Sequence, residues 1–336
     1  MSYKKWAYLL VILFTLLSFL TIIINYVVDP FQHYRISSWY KITNKRQREV
    51  SLGLARNFHA KTAIIGSSMV ENFQASKINT ELNTSTVKLC MSGMTTHEMH
   101  YVIKEIIDNN PNIKNIILSL DFYALSVNNY RTQSSGFPYY LVDNNLYNDI
   151  FYLLDKKTLR FSFRMLMKER NKETSFDNMW YWGNYYKYSK DVVLKNYDPK
   201  APIANFKSEF YTSDIFINSF NFNLLPFIKK YNNIKFTVIY PPYSYIMYKD
   251  MKNKNWMKDV FSFKTYLAKL SYKNLEIYDF QCVQSITNNL NNYRDIAHYR
   301  PEINDFMIES IKNKKYLINI NNINKCLKQI RLSADK

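Results

Sequence analysis

Short apolar runs alternate with amphipathic segments over most of this chain. Five runs rich in branched apolar residues are typical of buried parallel strands, and they lie at residues 62–66, 86–91, 115–120, 235–240 and 274–279. Apolar residues at helical spacing predict helices at residues 71–82, 220–231, 257–270 and 301–313. Strands and helices in this order predict an α/β fold with a doubly wound, mainly parallel five-stranded sheet.

One further helix has a marked start and end. Thr95 is followed three positions later by Glu98, which is the spacing of a capping box, and Pro111 ends the pattern. Between these residues, apolar side chains recur on one helical face. The sequence therefore predicts a helix between the second and third strands.

The alternation is interrupted over residues 122–219. This segment is rich in Tyr, Phe, Trp and Asn, and it is too long for an ordinary connection between elements. We expect an inserted, partly helical cap. Its aromatic side chains either bind sugar rings or a partner surface, or they form a small core that holds the cap together.

The N-terminus carries the longest apolar stretch. Residues 6–28 contain no charged side chain and are long enough to cross about 30 Å of hydrocarbon as a helix. We predict an uncleaved membrane anchor, because the run is longer than the apolar region of a usual signal peptide and no cleavage pattern follows it. A cleaved signal peptide is the alternative. Basic residues lie on both sides of the run and leave its orientation open.

Composition and charge add less than the pattern does. The 336 residues are 47% hydrophobic, which is enough for a sizeable core. The 45 Lys and Arg outnumber the 27 Asp and Glu, and the formal charge of +18 suits an anionic membrane surface or glycan as well as a nucleic acid. The chain is also saturated with Lys, Asn, Ile and Tyr, a bias that coding composition alone produces. We therefore expect no nucleic-acid partner.

The cysteines carry little information at this stage. Cys90, Cys282 and Cys326 are too few and too far apart to predict a disulfide framework or a zinc site. We expect them to be unpaired, and they leave the redox compartment open. No metal ion and no cofactor is expected.

The stretch IIGSSM places two serines directly after the first predicted strand. Ligands of an open α/β sheet bind outside the carboxyl ends of its strands, so Ser67 and Ser68 lie where chemistry is expected. Gly66 would permit a sharp turn, and a hydroxyl beside free backbone N–H groups is a candidate nucleophile. A plain helix N-cap is the alternative, and spacing alone does not choose between the two serines.

A serine nucleophile requires a base that a carboxylate orients. Among the 5 histidines, His298 lies late in the chain, after the last predicted strand, and Asp295 precedes it by three residues. This spacing lets the carboxylate reach Nδ1 of the imidazole and leaves Nε2 free to face a serine. An Asp and a His in an ordinary surface loop are the alternative.

These segments resemble the SGNH hydrolase superfamily, also called GDSL-like. IIGSSM looks like the first block of that family, with Ser67 at its aspartate position and Ser68 as the nucleophile. KLCMSGM looks like the second block, in which Gly93 would join Ser68 in the oxyanion hole. DIAH looks like the last block, with Asp295 and His298. The resemblance covers most of the chain and implies a flavodoxin-like sheet with strand order 2-1-3-4-5.

The third block departs from the family pattern. Asp121 stands at the end of the third strand, where the family has an asparagine. The oxyanion hole would then rest on the backbone N–H groups of Ser68 and Gly93. Either Asn128 or Asn129 substitutes, the reaction is slower, or the acyl donor is reactive enough to need less help. Asp121 itself is a possible site-rim residue, or it only caps a helix or binds a backbone amide.

The anchor and the altered third block look like the membrane-tethered branch of the superfamily. This branch includes the DltD protein of teichoic-acid D-alanylation and the alginate O-acetylation proteins, and the segment VIYPPYSY, in which two prolines end a strand, also suits it. The resemblance implies an extracytoplasmic catalytic domain, periplasmic or at the cell surface. It also implies a cell-surface glycan or teichoic-acid-like acceptor and a membrane-bound O-acyltransferase as partner.

The resulting hypothesis is a membrane-anchored serine O-acyltransferase or esterase that modifies a cell-surface glycan through an acyl-enzyme on Ser68. The chain would consist of an anchor (residues 1–29), a juxtamembrane linker (residues 30–60) and a catalytic domain (residues 61–336). Three alternatives stay open. They are a simple carbohydrate deacetylase, a catalytically silent scaffold for a membrane-bound acyltransferase, and a basic module that binds anionic glycans or lipid.

Overall fold

One parallel sheet forms the centre of the molecule. The computed structural model describes residues 2–133, 136–143, 145–200 and 208–336. The strands are β1 (Thr62–Gly66), β2 (Thr86–Cys90), β3 (Asn115–Ser119), β4 (Lys235–Tyr240) and β5 (Leu275–Asp279). Their order in the sheet is β2-β1-β3-β4-β5, which confirms the predicted order. Each of the five apolar runs matches its strand to within one residue at either end.

The strands are buried on both faces, as their near-continuous apolar sequence predicted. Ile64, Leu118 and Val238 are fully shielded from water. All four strand pairings are parallel. The carboxyl ends of the five strands therefore lie at the same edge of the sheet.

Helices connect and cover the strands. Among the described residues they are α1 (Tyr3–Val28), α2 (Gln47–Asn57), α3 (Ala75–Leu82), α4 (Thr96–Asn109), α5 (Phe122–Leu125), α6 (Ile150–Leu153), α7 (Lys156–Arg164), α8 (Lys190–Asn196), α9 (Ser213–Asn223), α10 (Leu225–Lys230), α11 (Tyr245–Asn253), α12 (Met257–Ala268), α13 (Gln284–Thr287), α14 (Glu302–Lys312) and α15 (Ile323–Ala334). Together with the sheet they confirm the predicted α/β class.

Several helix predictions hold, and two change. α4 begins with the predicted capping box, in which Thr95 Oγ1 accepts the Glu98 N–H at 3.2 Å and Glu98 Oε2 accepts the Thr95 N–H at 3.0 Å. α12 and α14 lie within two residues of the predicted ranges. α3 starts later than predicted, because turns occupy the residues after β1. The helix predicted over residues 220–231 is divided between α9 and α10, since α10 begins anew beside Pro226.

Helices α2, α11 and α15 were not predicted. α2 lies within residues 30–60, assigned to a linker, and it packs on β2 and α4 with Val50 and Leu54 fully buried. Gly53 weakens its helical pattern in the sequence. A Cβ at Gly53 would lie 2.1 Å from the carbonyl oxygen of Phe31, so the glycine allows the chain after α1 to cross α2 closely.

Among the described residues, α1 is the one helix long and apolar enough to cross a membrane. Its last turns pack on the segment that follows β3. Asn25 Nδ2 donates to the Leu153 carbonyl at 2.8 Å, and Asn25 Oδ1 accepts the Ser162 hydroxyl at 2.9 Å. Val28 packs with Met165. Buried contacts therefore join the end of α1 to the globular part of the chain.

The segment between β3 and α9 contains α5 to α8, 3₁₀ turns and one π-helical turn, Met165–Glu169. Residues 134, 135, 144 and 201–207 of this segment lie outside the described residues. Tyr152, Trp180 and Tyr211 are at most 6% exposed. Part of the aromatic content therefore forms a core, the second of the two predicted uses.

Cys282 and Cys326 form a disulfide bond, which corrects the expectation that the cysteines are unpaired. Cys282 ends the 3₁₀ turn after β5, and Cys326 lies on α15. The bond ties the C-terminal helix to the edge of the sheet across a sequence separation of 44 residues. Cys90 remains free and is buried at the end of β2.

An ion pair is fully buried between α12 and the end of β5. Lys264 Nζ pairs with Oδ2 of Asp279, and both side chains have 0% exposure. Asp279 Oδ1 also accepts the Gln281 N–H at 3.0 Å, and Lys264 Nζ lies 4.3 Å from the centroid of the Tyr240 ring. Burial lowers the pKa of Lys264, and the Asp279 charge opposes that shift.

Removing one member of this pair leaves the other charge buried alone. We expect Lys264→Met to lower the free energy of unfolding by about 3–5 kcal/mol, and Lys264→Met/Asp279→Asn to lower it by less because no charge then remains. Lys252→Met, which breaks an exposed pair with Asp335, should cost less than about 1 kcal/mol. Chemical denaturation of the full chain, followed by circular dichroism, measures all three. An equal loss in the single and double variants would contradict the prediction.

Candidate active site

The loop after β1 carries both predicted serines, Ser67 and Ser68. It is a tight turn in which the Val70 N–H donates to the Ser67 carbonyl at 3.0 Å. Gly66 is the last residue of β1, and it lies where there is no room for a side chain. A Cβ at this position would lie 2.5 Å from the Val70 side chain and 2.8 Å from Cβ of Ser119. Close packing, and not the predicted conformational freedom, explains the glycine, since its φ lies outside the left-handed region.

Ser68, His298 and Asp295 form a continuous hydrogen-bonded chain. Ser68 Oγ lies 2.9 Å from Nε2 of His298. Nδ1 of His298 lies 2.9 Å from Oδ2 and 3.1 Å from Oδ1 of Asp295. With its proton on Nδ1, the imidazole donates to Asp295 and offers Nε2 to the Ser68 hydroxyl. This is the arrangement that an activated serine requires.

The loop that carries Asp295 and His298 is tied at both ends and at its centre. Tyr293 and Tyr299 form an antiparallel bridge across its base. Ser244, which follows β4, donates to the Ile296 carbonyl through its N–H at 3.0 Å and through its hydroxyl at 2.8 Å. The loop is thereby held against the carboxyl end of β4, close to the serine turn.

Asp295 is kept ionised by its neighbours. Its Oδ1 accepts the N–H groups of Ala297 at 2.9 Å and His298 at 2.8 Å. Desolvation by the surrounding protein disfavours the carboxylate, but the hydrogen bonds and charge of His298, with these backbone donors, lower the pKa of Asp295 to about 2. The carboxylate can therefore stabilise an imidazolium at neutral pH.

Ser67 has a different partner from Ser68. Its hydroxyl donates to Oδ2 of Asp121 at 2.6 Å, and the residue is 3% exposed. Asp121 Oδ1 accepts the Ala124 N–H at 2.9 Å and so caps α5, and burial raises the pKa of Asp121. Ser67 thus ties the turn to the end of β3, while Ser68 faces the imidazole of His298. The contacts distinguish two serines that spacing alone left equivalent.

Gly93 lines the same cavity as Ser68. Its φ of +67° is in the left-handed region that favours glycine. No hydrogen bond within the described part of the chain uses the backbone N–H of Ser68 or of Gly93, and an unbonded N–H is the kind of donor that an oxyanion hole needs. Asn128 is exposed and accepts the Tyr130 N–H at 2.9 Å, and neither it nor Asn129 lines the cavity. The structure brings no asparagine side chain to the site from this loop.

An apolar cavity of about 320 Å³ lies beside Ser68 and His298. Apolar side chains form much of its wall, among them Phe122, Tyr243, Met247, Met251, Trp256 and Val260. Ser67 and Asp121 also line the cavity, and they are bonded to each other. Such a wall holds an apolar group better than it holds water.

Two residues beside the Asp295–His298 pair were not predicted. The Trp182 ring packs edge-on against the His298 ring with centroids 5.7 Å apart. The Arg294 guanidinium lies 3.9 Å from the centroid of a Trp182 ring, and its Nε lies 3.4 Å from Oδ2 of Asp295. Both residues are visible in the sequence, as an aromatic cluster and as the neighbour of Asp295. Nothing in their spacing joins them to the site.

Buried charged groups contact the residues that directly follow Ser68 in the turn after β1. Lys88 on β2 is 0% exposed and donates to the carbonyls of Glu71 at 2.8 Å and Phe73 at 3.0 Å. Burial lowers the pKa of Lys88 to about 8. Gln47 of α2 donates to Glu71 Oε1 at 2.7 Å, and burial raises the pKa of Glu71. These contacts also escaped prediction, because a single lysine in an apolar strand carries no signal of a buried role.

One group of potential metal-ligand atoms lies close together within the described residues, at Asp279, Cys282 and Cys326. The two sulfur atoms are bonded to each other, and the Asp279 carboxylate pairs with Lys264. These side chains are already engaged and do not point to a metal centre.

Comparison with known proteins adds little to this geometry. No family model matches the chain, and no curated protein matches it. A solved structure from Streptococcus pneumonia, described provisionally as a platelet activating factor, is similar over 81% of this chain and 91% of that chain, with 11% identity and a TM-score of 0.41. This likeness is too weak to carry a conclusion about the site.

The contact between Asp295 and His298 can be tested by a substitution that replaces one carboxylate oxygen with an amide nitrogen. We expect Asp295→Asn to slow fluorophosphonate modification of Ser68 by on the order of 10³–10⁴, because an amide holds the imidazole in the wrong tautomer. Glu302→Gln, a matched change of an exposed carboxylate that pairs with Arg300, should leave the rate within about twofold. The second-order rate constant of adduct formation, followed by intact-mass spectrometry, measures both. An unchanged rate in Asp295→Asn would show that the carboxylate does not orient the base.

Proposed function

We propose that this protein is a membrane-anchored serine O-acyltransferase or esterase of the SGNH type, acting outside the cytoplasmic membrane on a cell-surface glycan. The observation that carries the proposal is the hydrogen-bonded chain from Ser68 through His298 to Asp295 beside an apolar cavity. A nucleophile, a base, an orienting carboxylate and free backbone donors are the groups that acyl transfer through a covalent intermediate requires.

In the first half of the reaction, Ser68 Oγ attacks the carbonyl carbon of an acyl donor. His298 Nε2 takes the hydroxyl proton as the new C–O bond forms, and Asp295 stabilises the resulting imidazolium. When the tetrahedral intermediate collapses, the bond to the leaving group breaks and His298 returns the proton to that group. The acyl group is then esterified to Ser68.

The second half repeats these steps with a new nucleophile. A glycan hydroxyl, or water, gives its proton to His298 Nε2 and attacks the acyl-enzyme. The C–O bond to Ser68 breaks, and Ser68 recovers its proton from His298. Transfer and hydrolysis differ only in whether a glycan hydroxyl or water attacks the acyl-enzyme.

The oxyanion of both intermediates would be held by the backbone N–H groups of Ser68 and Gly93. Loss of one oxyanion donor costs about 2.7–4 kcal/mol where it has been measured. With Asp121 at the end of β3 in place of an asparagine, this chain has two such donors from its described loops. The proposal therefore favours a reactive acyl donor or a slow reaction.

Several features support an acceptor outside the cell. The disulfide between Cys282 and Cys326 suits an oxidising compartment, and α1 suits an anchor. A shallow groove beside Asp295 is lined by Tyr186, Asn196 and Arg294 among others. Exposed aromatic and amide side chains of this kind can stack on and hydrogen-bond to a sugar. A membrane-bound O-acyltransferase that supplies the acyl group remains part of the proposal.

Fluorophosphonate labelling of the full chain in detergent tests the proposed function. We expect one adduct on wild type and on Ser67→Ala, and none on Ser68→Ala or His298→Ala, because only Ser68 contacts the base. Intact-mass spectrometry counts the adducts, and tandem spectra locate the modified residue.

Three results would change the conclusion. An adduct on Ser67 would reverse the roles of the two serines. No adduct on well-folded wild type would favour the catalytically silent scaffold. A labelled enzyme that releases acetate from model esters, and whose rate does not respond to glycan acceptors, would favour the simple deacetylase.

A further inference from the structure

The apolar cavity beside Ser68 is larger than a short acyl group requires. Its volume is about 320 Å³. A protein cavity of roughly 150 Å³ binds a benzene ring, so about twice that volume holds a chain of roughly eight to twelve carbons. An acetyl group would leave most of this space unfilled.

The wall of the cavity is built from apolar residues of two helices and the cap. Met251 of α11 and Val260 of α12 are each 3% exposed, and Trp256 between these helices is 4% exposed. The Tyr211 ring stacks on Trp256 with centroids 4.0 Å apart and an interplanar angle of 11°. These side chains are packed in place, so the apolar space is formed before a ligand arrives.

The charged group in the wall is already engaged. Asp121 is 4% exposed, and its two oxygens accept the Ser67 hydroxyl and the Ala124 N–H. The carboxylate is thus committed to holding the turn and the start of α5. An alkyl chain has no polar group to desolvate when it enters this cavity. A charged acyl group would lose its hydration there without gaining a partner.

We propose that the acyl group carried by Ser68 is a medium-length alkyl chain of about eight to twelve carbons, delivered as an ester or thioester. This inference rests on the proposed function. The chain would lie between α11 and α12, with its carbonyl carbon at Ser68 Oγ.

A series of p-nitrophenyl esters tests the chain length. The full chain in phospholipid nanodiscs is given acetate, butyrate, octanoate and dodecanoate esters. Each methylene that enters the cavity is worth up to about fourfold in kcat/KM, and we expect octanoate to exceed acetate by at least about tenfold. Met251→Trp fills the cavity and should lower the octanoate to acetate ratio at least about tenfold. Leu332→Trp, on the 48% exposed side chain of α15, should keep the wild-type ratio.

The outcomes separate this inference from the proposed function. Turnover that is highest with acetate, or equal for every ester, would overturn the chain length while leaving a serine esterase. A ratio that does not move in Met251→Trp would also overturn it, because the chain would then bind elsewhere. No turnover together with no fluorophosphonate adduct would overturn the proposed function and this inference with it.

A separate observation concerns the surface beside α1. We define the platform as α6, α7 and the π-helical turn Met165–Glu169. It packs along the last turns of α1, where Asn25 bonds to the Leu153 carbonyl and the Ser162 hydroxyl. Both polar atoms of the Asn25 side chain are therefore hydrogen-bonded within the protein, as a polar group at membrane depth requires.

The length of α1 sets the depth of the platform. Its 26 residues are about 39 Å long, whereas about 20 residues cross the hydrocarbon. If the hydrocarbon begins at Trp6, directly after Lys4 and Lys5, it ends near Asn25. The residues of the platform that contact Asn25 then lie at the outer edge of the hydrocarbon.

The exposed residues on and directly around the platform fit that position. Large apolar side chains around it are exposed by 39% to 92%, namely Leu146, Tyr147, Ile150, Phe151, Leu154, Phe163 and Met167. Basic side chains are exposed among them, namely Lys156, Lys157, Arg160, Arg164, Lys168 and Arg170. Apolar groups beside basic ones, continuous with a membrane span, match the acyl and anionic headgroup layers of a bilayer.

We infer that the platform is embedded in the outer layer of the same bilayer that α1 crosses. The occupant of this apolar surface is phospholipid. The contact would hold the globular part at a set tilt on the membrane, in addition to the depth that α1 sets.

Spin labels measure this contact directly. Single labels at Phe163→Cys and Met167→Cys are placed in the full chain, whose own cysteines are paired or buried, in vesicles of phosphatidylcholine and phosphatidylglycerol. We expect collisions with oxygen to exceed those with a water-soluble nickel chelate by at least about fivefold relative to Leu332→Cys. Leu332 is a control because α15 packs on the 3₁₀ turn that follows β5, at one edge of the sheet. The chain after α1 instead crosses α2, which packs on β2 at the opposite edge.

Two results would overturn the inference. Nickel accessibility at both platform positions equal to that at Leu332→Cys would place the platform in water. Shielding from both reagents would mean that protein, such as a second copy of the chain, covers the surface instead of lipid.

Discussion

The parallel alignment of β1 between β2 and β3 is the constraint on which the candidate site depends. Because these strands run in the same direction, the residues that follow them reach one edge of the sheet. Ser68, Gly93 and Asp121 meet there in the wall of one cavity. An antiparallel strand at any of these positions would carry its loop to the opposite edge. The sheet topology thus determines that these three loops meet, and the side chains determine what the site can do.

Buried polar contacts then tie the serine turn to both neighbouring strands. Lys88 bonds to two carbonyls of the turn from β2, and Asp121 bonds to Ser67 from β3. Both neighbours of β1 therefore support the loop that presents Ser68. Such support costs desolvation of the charged groups, and it gives the hydroxyl a set position relative to His298. The Asp295 loop reaches that position independently, through Ser244 after β4.

Local patterns predicted the elements well where burial is uniform. The five strands agree within one residue, because a strand buried on both faces must be apolar throughout. The capping box at Thr95 was recoverable, because its contacts lie three residues apart. α2 was missed, because Gly53 argues against a helix until the chain near Phe31 is seen to pack against it. The Cys282–Cys326 bond was also missed, because its partners lie on separate elements that are 44 residues apart.

The sequence by itself determined the fold class, the apolar N-terminal helix and the proximity of Asp295 to His298, because each depends on residues that are near one another in the chain. Only the tertiary structure decided which serine faces His298. Ser68 and His298 are 230 positions apart, and Ser67 and Asp121 are 54 apart. The size of the apolar cavity and the position of Trp182 against His298 were decided in the same way. Contacts between distant residues follow from how the strands are ordered and how the cap folds over them, and no local spacing records that.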